Sequence, residues 1–539
     1  MYSYRSPQSK TKENQLLILV LCLGIFARLA YMQFSENIIH PDEIIQYAEQ
    51  AHAQIFGYGL EPWEYRFGVR SWFLPTAISS ILALLNQIGI TEPQIYINIV
   101  RLTASVASCS LILSCYQITR NCFPNSRLSP LIASLTAAFW IELIVYAPRA
   151  TPEVLASYAL CGAIALTTKY EPSQKDLIIS GILIGLTAGL RYQYLPPIAI
   201  LSIFYAKRYH SRQFFIFTIG ILSSSLVIAL SDIIRWGNPL KPIVNNFKLN
   251  AIEGVSSTFG IESWQFYIEQ LASSSIYLVI FSIILIYPLS AWLFERMNEN
   301  NQLLNPLKQQ NNPLTKSQVI ENRLILAAII LSIIASHSAV PHKELRFTFA
   351  VIPITICLIS GASSRVLGLL SKRVMKANYS FPKTLQAILT FSLITFTGIL
   401  LSHGWPNNYV ITYYKNLLVS SEPLIVTKYL RSIDNMTSIL RLDASRGYAG
   451  GYYYLHLKSR LYGQQNIENI EPDQFHKYFS HIVVKTGSKV PTNFQKIKQF
   501  SSSTIYLNNL IESKDLLPLK GYDKIFNRVD FKYKPTDFK

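Results

Sequence analysis

QLLILVLCLGIFARLAYMQF, residues 15–34, is followed almost at once by His40-Pro41-Asp42-Glu43. Twenty mostly apolar positions are what a helix needs to cross a hydrocarbon core of ~30 Å. The stretch is preceded by Arg5, Lys10 and Lys12, is too long for a typical signal h-region and lacks a small-residue cleavage site. It therefore reads as an uncleaved first span that delivers a pair of carboxylates to one face of a membrane.

Similar runs recur near 95–118, 129–147, 154–170, 176–191, 193–207, 213–234, 275–294, 322–340, 345–364 and 384–401, which with the first makes eleven crossings. Ser71–Ile90 is also apolar, but it follows Arg66 and Arg70 and contains Pro75, so it is either a twelfth crossing or a helix lying in the interface. Loop charge separates the two. With a cytoplasmic N-terminus and no crossing at 71–90, the inner segments carry Arg120 and Arg127; Lys169 and Lys175; Lys207, Arg208 and Arg212; Arg296, Lys308 and Lys316; and Arg365, Lys372, Arg373, Lys376 and Lys383. The opposite loops carry mostly single charges such as Arg149 and Arg191. The positive-inside rule thus favours the interfacial helix. The segments 35–94, the Arg149 turn, 235–274 and the 337–347 turn then share the outer side with everything after 401.

Composition agrees. Half of the 539 residues are hydrophobic and 15% are charged, against roughly a quarter charged in soluble chains. The net charge of +18 sits largely in short loops between apolar runs, where orientation explains it, so nucleic acid is not an expected partner. The six cysteines lie in or beside apolar runs, without zinc-like spacing, and none follows Cys357. The tail from 402 is less apolar, mixes Ile/Val/Tyr runs with polar stretches, and is long enough for a small α/β domain. The expected fold is an all-α polytopic membrane protein of about eleven spans over 1–401, with first outer loop 35–94 and a non-cytoplasmic α/β region over 402–539. Asn298–Asn312 reads as a polar cytoplasmic linker, and Asn435-Met436-Thr437 is a commonplace glycosylation triplet.

Two constellations could carry chemistry. Pro41 suits the first turn of a helix, and Asp42 and Glu43 then lie near its positive end. They either cap that helix or serve as a general base toward an acceptor hydroxyl. Further along, Trp63, Glu64, Arg66 and Arg70 interleave aromatics with charges, as interfacial anchors or as a sugar-binding surface. The second constellation is Pro341-His342-Lys343-Glu344-Leu345-Arg346-Phe347, whose cations lie on the charge-poor side and form an anion site if they are not ordinary flanking charges. Arg149 with Glu153, and Arg191 with Tyr192 and Tyr194, occupy similar boundary positions and fit either an ion pair and an anchor or parts of the same site.

His40-Pro41-Asp42-Glu43, Glu49, His52, Phe56-Gly57-Tyr58-Gly59, Trp63-Glu64, Arg70-Ser71 and Pro75 together resemble the first luminal loop of the glycosyltransferase family 22 mannosyltransferases. Within that family the likeness is nearest to the enzymes that add the third mannose of the glycosylphosphatidylinositol anchor and that build the lipid-linked oligosaccharide for N-glycosylation. His342–Phe347 is similar to the family's His-Lys-Glu-Glu-Arg-Phe signature, departing only at Leu345; Asp232, Trp236-Gly237, Asn246, Ser256, Gly260 and Trp264–Tyr267 echo a later luminal loop. The likeness covers residues 15–365, with a faint echo at Gly447–His456.

The resemblance implies the GT-C architecture in an endoplasmic reticulum or bacterial inner membrane. It implies inverting transfer of mannose from a polyprenyl- or dolichyl-phosphate-mannose donor to a glycan or glycolipid acceptor, without metal or cofactor. Asp42 would be the base, with Glu43 its rival. Trp63, Glu64, Arg70, Arg149, Arg191, His342, Lys343, Glu344 and Arg346 would bind substrate, and His342, Lys343 or Arg346 would hold the departing phosphate's charge. A GT-C enzyme moving another sugar is the alternative. A transporter or flippase fits less well, because neither paired half-repeats nor mid-membrane charges are visible.

Overall fold

A computed structural model describes residues 7–272 except 125 and 127, 316–362, 421–510 except 435, and 516–519. The expected spans at 275–294 and 384–401, the linker 298–312, the basic residues of 365–383, the domain boundary at 401/402 and Asn435 lie outside the described residues. Among the described residues four helices are long and apolar enough to cross a membrane: Thr11–Phe34, Pro93–Cys122, Ser211–Trp236 and Ser317–Ser338. Their outer faces are apolar; Phe26 is 70% and Ile234 78% exposed, a surface that suits lipid rather than water.

Other expected spans are shorter. The helices Pro152–Thr167, Gln174–Leu190 and Leu195–Arg208 have 16, 17 and 14 residues. At ~1.5 Å per residue, none alone matches a ~30 Å core. The stretch read as one span over 129–147 is broken: a helix over Ser129–Phe139 stops at Trp140, whose backbone is extended, and a short helix follows over Ile141–Val145. Arg28 of the first helix explains how that break is tolerated. It is fully buried and donates to Ala138 O at 2.9 Å, Ala137 O at 3.1 Å, Gly24 O at 3.0 Å and Ser108 Oγ at 2.8 Å. A cation at a helix C-terminus satisfies carbonyls that water cannot reach. The span expected at 345–364 likewise opens with a 3₁₀ turn over Leu345–Thr348 before the helix Val351–Ala362.

The helices Gln174–Leu190 and Ser211–Trp236 pack backbone to backbone. A Cβ at Gly181 would lie 2.9 Å from Gly220 Cα, and one at Gly185 2.8 Å from Ile221 O. Small residues one turn apart allow this approach, the usual driver of helix association in lipid. The helix Phe73–Gln87 has 15 residues and packs on the residues before it through Leu74, Ile78 and Leu82.

Residues 438–508 form a five-stranded sheet: β1 (Ser438–Arg441), β2 (Arg460–Gly463), β3 (His481–Lys485), β4 (Phe494–Gln499) and β5 (Ser503–Asn508), in the order β2-β1-β3-β5-β4. β2, β1 and β3 run parallel, while β5 is antiparallel to both β3 and β4. Alternation assigns the two faces. Ile439, Leu461, Val483 and Ile505 pack with Leu424's helical neighbours Val426 and Leu430, whereas Leu440, Tyr462, Ile482 and Val484 pack on Phe475 and Phe479. Leu60 of the first loop belongs to the former core, so that loop and the sheet share one apolar interior.

Candidate active site

The first carboxylate pair rides on a helix over residues 41–56. Proline opens it because its missing N–H is not needed there, Glu43–Ala48 form a π-helical turn, and Gly57 closes it in the left-handed conformation, φ 81°. From across the membrane domain, the 3₁₀ turn Leu345–Thr348 brings Arg346 to the same place. Arg346 Nη2 donates to Asp42 Oδ2 at 2.8 Å, although 304 residues separate them. Its Nε donates to Glu344 Oε2 at 2.6 Å, and its Nη1 lies 3.7 Å from Glu153 Oε1. Leu345 is 43% exposed and points away, so the one departure from the family signature falls outside the cluster.

Around this arginine the network closes. The His40 ring lies 3.3 Å from Asp42 Oδ2 and 3.4 Å from Glu344 Oε2, and His342 Nε2 lies 2.9 Å from Glu344 Oε1. Glu153 is bound by Arg191 at 2.9 Å, not by Arg149. Arg149 Nη1 instead lies 3.5 Å from Glu43 Oε2 and also donates to Asn37 O, while its Nη2 donates to Asn37 Oδ1. Thus Asp42, Arg191, His342, Glu344 and Arg346 meet in one network, joined by His40 and Glu153, while Glu43 and Arg149 form a separate pair beside it.

The other expected residues take different positions. Trp63 is buried with Phe67, Val69, Leu249 and Val255 and stacks on Phe259, so it is a packing anchor of the loop. Lys343 is turned from the cluster, donating to Val340 O at 2.6 Å, Glu262 O at 3.0 Å and Pro341 O at 3.4 Å. It staples the turn to the segment before it. Glu64 is buried and accepts from Gln46 Nε2 at 2.7 Å. Among the described residues the Arg70 guanidinium forms no ion pair, and its Nε is buried without a partner. Burial works against its charge, but Tyr47, Tyr192, Glu64 and Asp42 outweigh it and keep Arg70 protonated.

Electrostatics distinguish the two candidate bases. Burial pushes the Asp42 carboxyl up, but Arg346 and His40 more than reverse this and hold it well below the usual carboxylate range. Burial pushes Glu43 up, with Arg149 only partly opposing it. Burial also raises Glu64, to about 7. Glu344 resists its burial through His342 and Arg346 and falls to about 2, while its hydrogen bond raises His342 in return. Asp42 Oδ2 is held by Arg346 and His40; Oδ1 has no partner among the described residues, and the side chain is 26% exposed. An ionised, oriented carboxylate therefore presents one free oxygen to solvent.

Tyr47 is not among the residues expected to act, His40 enters only as part of the first-loop signature, and for Glu153 and Tyr192 the sequence allows either an ion pair and an anchor or parts of the same site. His40 opens the same quartet as Asp42, and Tyr192 adjoins Arg191, but neither signal says which partner each would meet.

Comparison with known proteins bears on this arrangement. The Alg9-like mannosyltransferase family matches residues 18–417. The chain is similar to the mannosyltransferase APTG1 of Arabidopsis thaliana, 23% identical over 392 residues that cover 67% of this chain and 63% of that protein. It is also similar to the GPI mannosyltransferase 3 of Drosophila melanogaster, 25% identical over 358 residues, 65% of this chain and 57% of the relative. The match thus spans about three-fifths of those relatives' length. In fold the chain resembles ArnT from Cupriavidus metallidurans bound to undecaprenyl phosphate, with TM-score 0.55 and 11% identity over 92% of this chain and 98% of that one. With a family match running from the first span through both halves of the Asp42–Arg346 network, the chain belongs to the Alg9-like mannosyltransferase family.

Proposed function

We propose that this chain is an inverting α-mannosyltransferase working at the non-cytoplasmic face of its membrane. It takes mannose from a polyprenyl- or dolichyl-phosphate-mannose donor and passes it to a glycan or glycolipid acceptor. The observation that carries the reading is Asp42, with one oxygen tied to Arg346 and His40 and the other open. The acceptor hydroxyl gives its proton to Asp42 Oδ1 as its oxygen bonds to the anomeric carbon from the face opposite the phosphate. The carbon–phosphate oxygen bond breaks, and the polyprenyl phosphate leaves with the electron pair. A strongly ionised carboxylate suffices as base if the proton moves late, when the new bond has already acidified the hydroxyl.

The phosphate's charge is assigned to Arg70 rather than to Arg346. Arg346 and Arg191 are already compensated by Asp42, Glu344 and Glu153, and Arg149 by Glu43. An anion gains most from a cation that is not already ion-paired, and among the described residues Arg70 forms no ion pair, feeling Glu64 and Asp42 only at longer range. The orientation rests on loop charge. The network lies at the ends of helices whose other ends are followed by Lys169 or carry Lys207 and Arg208. The test is to incubate membranes containing the protein with labelled polyprenyl-phosphate mannose and a glycolipid acceptor. Label should pass to the glycolipid with release of polyprenyl phosphate, and a correctly inserted Asp42→Asn variant should lose about 10²–10⁴-fold in rate. A normal rate in that variant would remove the base from the mechanism.

A further inference from the structure

The helix that carries Asp42 lies on a bed made by a segment some 400 residues away. Glu49, seven residues beyond Asp42, is fully buried, and its two oxygens are divided between the two parts. Oε2 accepts from Leu60 N of its own loop at 2.7 Å, and Oε1 accepts from Tyr453 N at 2.6 Å. One turn on, His52 Nε2 lies 2.9 Å from His456 Nδ1, while His52 Nδ1 is 2.9 Å from Tyr58 O. Tyr96 adds a hydrogen bond to Tyr453 O.

Two glycines make the contact possible. A Cβ on Gly451, whose φ is +55°, would strike the Glu49 carboxylate. A Cβ on Gly447 would lie 2.5 Å from Ile45 Cδ1 and 2.8 Å from Pro41 Cβ. Ile45 has a flexible end, but Pro41 is rigid and is bonded directly to Asp42. The segment itself is firmly held. Thr427 Oγ1 donates to Ala449 O at 2.7 Å, Leu461 N donates to Tyr452 Oη at 2.9 Å, and Tyr452 and Leu455 belong to the core of the sheet.

We propose that Gly447–His456 is a positioning element for catalysis: it sets where the Asp42 helix sits relative to Arg346, with Glu49 and Gly447 as its positioning residues. The proposal rests on the reading of Asp42 as base. It gives the sheet region a task in the reaction although none of its residues lies in the Asp42–Arg346 network. Reacting groups are sensitive to small displacements, and a shift of about 1 Å can cost on the order of 10²-fold in rate.

The test uses the full-length protein in membranes or detergent. Transfer kinetics and amide hydrogen exchange over residues 41–56 are measured for Gly447→Ala, Glu49→Gln, Gly447→Ala with Ile45→Ala, and Asp42→Asn. Gly447→Ala should lower kcat by about 10- to 100-fold with little change in donor KM. Removing the Ile45 side chain in the double variant should recover most of that loss, which a merely destabilised protein would not do. Glu49→Gln can accept only one of the two N–H groups, so exchange over 41–56 should rise as kcat falls. Wild-type turnover and exchange in both Gly447→Ala and Glu49→Gln would overturn the proposal, as would a Gly447→Ala loss that the double variant deepens. If Asp42→Asn is fully active, the base assignment fails by itself, and exchange over 41–56 in the other variants still decides whether the segment holds the helix.

Discussion

Removing Arg346 should slow the chemical step rather than weaken donor binding. The guanidinium is nearly buried and meets Asp42 at 2.8 Å, Glu344 at 2.6 Å and Glu153 at 3.7 Å. Only the contact with Asp42 acts on the base directly; the other two hold the guanidinium in place. A charge-assisted hydrogen bond is worth about 1.5–3 kcal/mol, and about 1.4 kcal/mol is a tenfold change in rate, so Arg346→Ala should lose about 10- to 150-fold in kcat. The loss should also depend on pH. Asp42 must be ionised to act, and Arg346 is the leading attraction that keeps its carboxyl far below the ordinary range. Without the arginine that carboxyl titrates higher, so activity in the variant should begin to fall at a higher pH than in the wild type as the solution is made acid. Arg346→Lys keeps a charge but cannot span two carboxylates, and should fall between the two. Initial rates across pH at saturating and at limiting donor separate kcat from KM, with the folded fraction measured by size-exclusion, since loss of a buried partner also costs stability. An Arg346→Ala variant with normal kcat and a donor KM raised tenfold or more would make the arginine a phosphate ligand and refute this assignment.

Arg70→Ala should show the complementary pattern, raising donor KM by about tenfold or more with a smaller effect on kcat, as read in the same assay. Glu64 titrates at about 7 and faces Arg70, so it is neutral below that pH and compensates Arg70 above it. Donor KM should therefore rise as pH increases through about 7, and Glu64→Gln should flatten that rise; a rise unchanged in the variant would separate Glu64 from the donor site. Arg28→Leu strips the carbonyls of Ala137 and Ala138 of a donor inside the membrane domain and should destabilise the detergent-solubilised protein by about 2–5 kcal/mol in thermal unfolding, with no change if the carbonyls find other partners.

The sequence shows what depends on neighbours along the chain. Apolar runs mark helices because a backbone in lipid must satisfy itself. Among the described residues all four long apolar helices, Thr11–Phe34, Pro93–Cys122, Ser211–Trp236 and Ser317–Ser338, begin within about five residues of the runs read from sequence. Residue type in a charge-poor loop singled out Asp42, Glu43, His342, Glu344 and Arg346, since ionised groups are expensive at a membrane boundary without a use. Pairing was not legible. Nothing local says that Glu153 binds Arg191 and not Arg149, that Lys343 spends its donors on backbone carbonyls, that Trp63 is sealed in a small core, or that Glu49 reaches Tyr453 across 404 residues. A charge is visible in one residue, but its partner is set by the packing of helices and sheet that brings distant segments within 3 Å. Only the tertiary structure could therefore separate the cations paired directly with a carboxylate from Lys343, held by backbone carbonyls, and Arg70, which among the described residues forms no ion pair.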